Sequence, residues 1–195
     1  EPTSLRFPGV RLTWESIFKT GLEISATYRI VRLDVEKSGE AQLAQSAMNP
    51  DQQQLLFRDG SVLRLQASYR LKINRHHLEP TVRYINENLD GAAMATKGYI
   101  LRLNYLYPSR KVIIDANVSI GNRKGQAVNP IYNERFDAVR YGGSVAAFVP
   151  IKLGTSNRWS IFVTVEYLGE NANISFYDSR FYGLMGGLTY RNMRR

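Results

Sequence analysis

The side chains with the most chemical potential in this chain are two adjacent histidines, two mid-strand carboxylates and a dispersed set of arginines. His76 and His77 could act as a base or hold a metal ion. Base-assisted nucleophilic chemistry needs a nucleophile held within hydrogen-bond reach of the imidazole, and no serine lies at a matching depth in a recognisable motif. A metal site needs a third and fourth ligand, none is evident in the sequence, and the chain contains no cysteine. Exposed turn histidines are therefore the expected reading. Asp115 and Glu166 could pair for acid–base work, but both fall on the polar side of their segments, where arginines outnumber them. Ion pairs that fill an interior fit them better. No glycine-rich phosphate cradle is present: Gly142-Gly143 and Gly186-Gly187 lie inside alternating runs, where glycine relieves crowding as a sheet curves. No catalytic residue, metal ligand or cofactor-binding residue is assigned, and the expectation is a protein that is not an enzyme.

The elements that must position these residues are β-strands. Tyr99-Leu101-Leu103-Tyr105-Tyr107, Trp159-Ile161-Val163-Val165-Tyr167 and Tyr182-Leu184-Gly186-Leu188-Tyr190 each set aliphatic, glycine or aromatic residues at alternate positions between terminal rings. Such segments have the length a tilted strand needs to cross a hydrocarbon layer, roughly 9–11 residues. Rings at both ends of an apolar face match the two interfacial girdles of outer-membrane barrels. The girdle residues are therefore Tyr99, Tyr105, Tyr107, Trp159, Tyr167, Tyr182 and Tyr190.

Period-two alternation recurs along the chain. Leu63, Leu65, Ala67, Tyr69, Leu71 and Ile73 alternate with Arg64, Gln66, Ser68, Arg70, Lys72 and Asn74, and Leu22 to Ile30 alternates in the same way. A shorter strand covers Leu78 to Tyr84, and further strands cover Val112 to Ile120 and Val139 to Val149. With the three aromatic-bracketed segments this makes eight strands. Pro108-Ser109-Arg110-Lys111 and Gly154-Thr155-Ser156-Asn157 read as tight hairpin connections. Short links alternate with long ones at 35–61, 86–98, 121–137 and 168–180, the outer-membrane pattern of short periplasmic turns and long external loops. Asn49-Pro50-Asp51 marks a turn inside the first long link, which could also carry strand extensions.

The organisation is thus an N-terminal segment, 1–20, and a barrel, 21–195. In the first, Val10, Leu12 and Trp14 alternate with Arg11, Thr13 and Glu15, which reads as an extra strand turning through Lys19-Thr20-Gly21; a short interfacial helix from Trp14 to Leu22 is the alternative. If it is a strand, the count becomes nine, and a tenth is needed or the chain is part of a larger barrel.

Composition bounds the partners. The net charge is +9, from 26 Lys and Arg against 17 Asp and Glu, and the basic residues are spread along strands apart from Arg191, Arg194 and Arg195. That distribution argues against nucleic acid and fits outer-membrane lipid and the phosphates of lipopolysaccharide. No run approaches 18 consecutive apolar residues, which excludes a transmembrane helix.

From residue 62 onward the chain resembles the C-terminal barrels that follow tetratricopeptide repeats in surface lipoprotein assembly modifiers. The segments that carry the likeness are His77-Leu78-Glu79-Pro80-Thr81-Val82-Arg83-Tyr84, Gly98-Tyr99-Ile100-Leu101-Arg102-Leu103, Asn129-Pro130-Ile131-Tyr132, Asp137-Ala138-Val139-Arg140-Tyr141-Gly142 and Asn173-Ile174-Ser175-Phe176-Tyr177-Asp178. The last strand, through Gly187-Leu188-Thr189-Tyr190-Arg191, also looks like the ending of MipA/OmpV-type scaffolding proteins. The repeats are missing from this chain, and Tyr190 is followed by five more residues where those relatives end on an aromatic. The resemblance implies location, fold and a part in export or surface assembly, with other components of such a complex as partners.

The expected fold is all-β: a transmembrane antiparallel up-and-down β-barrel of eight strands in a bacterial outer membrane. A lipocalin-type soluble barrel, with its apolar face inward, is the alternative. In the membrane orientation the polar face fills the interior, where Glu23, Asp115 and Glu166 meet Arg64, Arg70, Arg83, Arg102 and Arg140. The expected function is that of a structural or accessory barrel with long binding loops. A porin-like transport pore, in which Arg64, Arg70, Arg102 and Arg140 select anions, requires more than eight strands, because eight leave an interior that side chains fill. A lipid-modifying enzyme is a third reading.

Overall fold

In the computed structural model, the described residues are 4–6, 8–17, 21–34, 59–93, 95–153 and 156–190. They form one antiparallel sheet, and the only helical element among them is a three-residue 3-10 turn, Ser175–Tyr177. The strands are β1 (Ser4–Arg6), β2 (Gly9–Ile17), β3 (Leu22–Asp34), β4 (Gly60–Tyr69), β5 (Leu71–Ile73), β6 (His76–Leu89), β7 (Thr96–Pro108), β8 (Ile113–Asn129), β9 (Glu134–Leu153), β10 (Ser156–Ala172) and β11 (Ser179–Tyr190). β1 and β2 both pair with β3, and β4 and β5 both pair with β6. The eleven segments are therefore nine consecutive rows of an up-and-down meander.

This corrects the expected count of eight. The alternation at Val10, Leu12 and Trp14 belongs to β2, which pairs with β3 from Gly9↔Arg29 to Trp14↔Ile24, so the extra strand is present and the interfacial helix is not. Glycine makes the return: Gly21 takes φ 77°, a conformation that side chains with a Cβ disfavour. Its carbonyl accepts the Arg70 amide at 3.1 Å, which satisfies the break between β4 and β5.

The long links were also overestimated. β8 continues to Asn129 and β9 begins at Glu134, so four residues connect them; β10 runs to Ala172 and β6 to Leu89. These stretches are polar on both faces, so they carry no alternation for a sequence reading to detect, yet their backbones keep pairing, with Lys124 opposite Asp137 and Asn171 opposite Val139. Most of link 35–61, the Asn49-Pro50-Asp51 turn, Lys19-Thr20, Gly154-Thr155 and Arg191 to Arg195 lie outside the described residues.

Register determines which residues share a face. Crossing the middle of the sheet, Leu12 pairs with Ala26, Ala26 with Leu65, Leu65 with Tyr84 and Tyr84 with Tyr99. Farther on, Leu103 pairs with Val118, Val118 with Gly143, Ala147 with Val163 and Val163 with Gly186. One face is thus an unbroken apolar band from β2 to β11, and its members are exposed: Leu12 57%, Leu101 53%, Val163 48% and Leu184 80%. The opposite face holds the buried polar side chains Ser25, Ser68, Thr81 and Thr96. The polar face is thus the less exposed of the two, the reverse of the pattern of a lipocalin-type barrel. The buried hydrophobic residues among those described are Val62, Ala93, Ala95, Ala138 and Ile174, too few and too small to make a conventional core.

Among the described residues the sheet is not closed: no ladder joins β11 to β1 or β2. With nine antiparallel rows the two edge strands run in the same direction, so closure with every pair antiparallel takes one further strand or a larger odd number.

One backbone approach is tight enough to test. The β7–β8 ladder skips between Lys97↔Lys124 and Ile100↔Gly121, and a Cβ on Gly98 would sit 1.9 Å from the Asn122 carbonyl oxygen. The Tyr99 amide is satisfied instead by Asn122 Oδ1 at 3.0 Å. Gly98→Val is expected to lower unfolding free energy by about 1–3 kcal/mol, the usual cost of overpacking, measured by urea denaturation of the refolded chain against Gly98 wild type.

Candidate functional site

The side chains able to act on a ligand lie on the enclosed polar face. Each strand contributes alternate residues to it: Arg11 from β2, Glu23 from β3, Arg64 and Gln66 from β4, Glu79, Thr81 and Arg83 from β6, Arg102 and Asn104 from β7, Asn117 and Ser119 from β8, Arg140 and Ser144 from β9, Glu166 and Glu170 from β10.

The arginines divide into two kinds. Arg70 Nη2 donates to Glu23 Oε2 at 2.9 Å and its Nε to Glu79 Oε2 at 3.3 Å. Arg140 Nε donates to Glu170 Oε2 at 2.5 Å. Arg123 reaches Glu87 at 3.4 Å and Thr96 Oγ1 at 3.1 Å, with Thr96 donating to the same carboxylate. By contrast, Arg11, Arg64, Arg83 and Arg102 have no carboxylate within ion-pair distance among the described residues. Arg83 donates twice to Gln66 Oε1, at 3.0 and 2.7 Å. The buried Nε of Arg64 has no hydrogen-bond partner among the described residues. Arg102, Arg64 and Arg11 all lie close enough to Arg83 for their charges to repel it.

Of the interior network expected from sequence, Glu23 thus meets Arg70, while Arg140 meets Glu170 rather than Asp115 or Glu166. Asp115 sits opposite Ala146 and Leu106, and Glu166 opposite Ser144 and Gly183. Neither carboxylate forms an ion pair with an arginine among the described residues. Arg64, Arg83 and Arg102 are likewise without an ion pair among the described residues. Sequence reasoning missed Glu79, Glu87, Glu170 and Arg123, because it placed most of them in short strands or loops. It also missed Arg11, whose strand was left undecided.

Two recesses open on this face. One of about 150 Å³ is lined by Gln66, Glu79, Thr81, Arg83, Arg102 and Asn104, among others. A wider one, about 380 Å³, includes Arg102, Ser119, Arg140 and Glu170. The first is a polar hollow in the sheet wall, whereas the wider one, which Ile100, Leu168 and Phe181 also line, is mainly apolar.

The expected girdle residues occupy two bands on the outer face. At the end nearer the β6–β7 and β10–β11 connections, Tyr84 and Tyr99 have ring centroids 5.0 Å apart, Tyr167 and Tyr182 4.9 Å, and Tyr141 and Tyr167 5.8 Å. At the other end Trp159 and Tyr190 are 5.1 Å apart, and Tyr105 and Tyr107 both approach the His76 ring. His76 Nδ1 is 2.9 Å from Tyr105 Oη, so this histidine belongs to the aromatic band. His77, the second residue of β6, lies opposite Lys72 and Leu106, and no group of three or more metal-binding side chains occurs among the described residues.

Beyond the band, the chain ends its hairpins in a cluster of rings. Tyr132, Phe136, Phe176 and Tyr177 lie with centroids 5.2 to 6.1 Å apart. Asn173 fixes it, donating from Nδ2 to the Arg135 carbonyl at 2.8 Å and accepting the Asp137 amide at 2.7 Å.

A family model described as "Protein of unknown function (DUF2860)" matches residues 1–191. The chain belongs to the DUF2860 family. No curated protein matches it. The match spans every described strand of this DUF2860 chain, so the nine-row sheet and its polar face lie within one family unit.

The paired and unpaired arginines make different predictions. Arg70→Met strands Glu23, 14% exposed, and Glu79; it is expected to lower stability by about 0.5–1 kcal/mol, the range of partly exposed ion pairs. Arg83→Met relieves repulsion and is expected not to lower it. Denaturant midpoints of the two variants in detergent decide between these outcomes.

Proposed function

We propose that this DUF2860 chain forms the wall of a transport pore in a bacterial outer membrane, with outer-membrane lipid and lipopolysaccharide as its surroundings. The observation that carries the reading is the combination of nine strand rows with an inverted face pattern: apolar side chains exposed outward, polar ones enclosed. An exposed apolar band that continues across every row is far larger than the patch a soluble monomer leaves uncovered, and hydrocarbon is the medium that removes its cost. Aromatic rows at both margins fit the two interfaces. Every backbone group in a membrane must be satisfied internally, so the reading requires the free edges of β2 and β11 to be paired once the chain is in the membrane. A barrel of ten or more strands is wider than the eight-stranded kind that side chains fill, and the hollows beside Arg83 and Arg140 are what such a widening leaves.

The transport reading assigns no catalytic step. It is tested by reconstituting the refolded chain in planar bilayers. Discrete single-channel conductance is expected; silent insertion of chain that shows heat-modifiable migration on a gel contradicts it.

A specific observation favours a second reading, an accessory part in export or surface assembly. Phe176, 74% exposed, crowns the ring cluster with Tyr132 and Tyr177 on the hairpin ends, a rigid apolar surface suited to holding a partner. This reading expects pull-down of outer-membrane components from a native source to be lost in Phe176→Ser.

The membrane orientation itself makes a graded prediction. Val163, mid-band on β10, faces outward, and its neighbour Thr164 faces inward. Val163→Arg is expected to cost about 2–4 kcal/mol of folding free energy in lipid vesicles, and Thr164→Arg less than half as much. Equal costs contradict the orientation.

A further inference from the structure

The four unpaired arginines are not scattered over the polar face. Arg64 pairs with Ile85, and Ile85 with Gly98, so Arg64 lies on the Gly98 row of β7; Arg11 lies on the same row through Thr27. Arg83 lies on the Ile100 row, and Arg102 is two residues farther along β7. From Arg11 to Arg102 the position therefore shifts four residues, from the Gly98 row to Arg102, in the four steps β2, β3, β4, β6, β7.

The aromatic band on the outer face shifts in the same direction at the same pitch. Tyr84 on β6 lies on the Tyr99 row. Tyr167 on β10 traces through Gly143 and Val118 to the Leu103 row, four residues in four strand steps. That shift follows from strand tilt: level positions around a tilted wall fall on a diagonal of the ladder. Arg11, Arg64, Arg83 and Arg102 therefore fall within two residues of one depth, just inside the band formed by Tyr84, Tyr99 and Tyr167, with Arg64 nearest to that band.

Glu23, Glu79, Glu87 and Glu170 on this face are already engaged, whereas Glu166, three strands away from Arg102 on β10, has no ion pair among the described residues. Glu79, which shares a recess with Arg83 and Arg102, receives Arg70, as does Glu23. Glu87 receives Arg123, and Glu170 receives Arg140. Arg83 faces the like charges of Arg102, Arg64 and Arg11, and the buried Nε of Arg64 has no partner among the described residues, so the group is held in a costly arrangement. An anion entering the lumen relieves both costs, since the planar guanidinium offers paired N–H donors to chloride, carboxylate or phosphate oxygens.

Resting on the pore reading, we propose that Arg11, Arg64, Arg83 and Arg102 form an arginine arc at one level of the lumen, which selects small anions and binds those with phosphate or carboxylate groups. This differs from the set legible in sequence, since Arg70 and Arg140 are neutralised by their partners, and Arg11 and Arg83 take their places.

The test is the reversal potential of the refolded full chain in a planar bilayer under a potassium chloride gradient. Chloride is expected to permeate several-fold faster than potassium. The triple variant Arg64→Gln, Arg83→Gln, Arg102→Gln is expected to bring the ratio to about one, as removal of a charged ring does. The corresponding triple lysine variant is expected to keep the ratio. Inorganic phosphate is expected to reduce chloride current in the wild type and not in the glutamine variant. Neutralising the paired residues together, Arg140→Gln with Glu170→Gln, is expected to leave selectivity unchanged. Each variant is checked for heat-modifiable migration, which separates misfolding from loss of selectivity. Conductance that prefers potassium, or a ratio unaltered in the glutamine variant, overturns the arc and leaves the pore standing. Absence of any conductance from folded chain overturns both.

Discussion

The constraint on which this molecule depends is that its apolar side chains point away from its own polar interior. In an ordinary domain, alternation puts aliphatic groups between packed layers, and their removal from water drives folding. Here the sheet is a single layer, and only small or few hydrophobic residues are buried. The stabilising contacts within the wall are the ladders themselves, the cross-strand ring pairs such as Tyr84–Tyr99 and Trp159–Tyr190, and polar ties such as Asn117 Nδ2 to Ser144 Oγ at 2.5 Å. On the proposed reading, the outer face is covered by an apolar medium. The enclosed face can afford to be polar for the same reason: it is not asked to supply a core.

That division also explains the distribution of charge. Close to the margins of the wall, cations and carboxylates are paired, as in Arg70 with Glu23 and Glu79, or Arg123 with Glu87. Pairing ties strands together, Arg70 reaching β3 and β6, and Arg123 reaching across β7 to β6. In the arc from Arg11 to Arg102, by contrast, Gln66 is the side chain that accepts hydrogen bonds from a guanidinium among the described residues. A residue set that costs stability where its neighbours contribute it is the kind of local inconsistency that accompanies function.

Much of the fold was legible in sequence because a period of two survives wherever one face is apolar. The segments bracketed by Tyr99 and Tyr107, Trp159 and Tyr167, and Tyr182 and Tyr190 fall within β7, β10 and β11. The reading failed where the alternation stops. Residues 121–129 and 134–138 are strand, although polar side chains occupy both faces, because the hairpin ladder continues beyond the apolar band. Gly9 to Ile17 was ambiguous since Trp14 suits either a strand or an interfacial helix, and only pairing with β3 decides it. The interior was less legible still. Which carboxylate meets Arg140 depends on register between β9 and β10, which places Glu170 directly opposite; sequence distance gives no access to that.

The absence of cysteine from the chain makes the central claim directly measurable. Single cysteines are placed along β10 at Ile161, Val163 and Val165 on one face, and at Ser160, Thr164 and Glu166 on the other. The chain is then reconstituted in lipid vesicles and treated with a water-soluble, membrane-impermeant maleimide. The account predicts an alternating result, with the odd positions protected by lipid and the even positions labelled from the aqueous interior. Uniform labelling of both faces, or protection of the even positions in place of the odd, would contradict it.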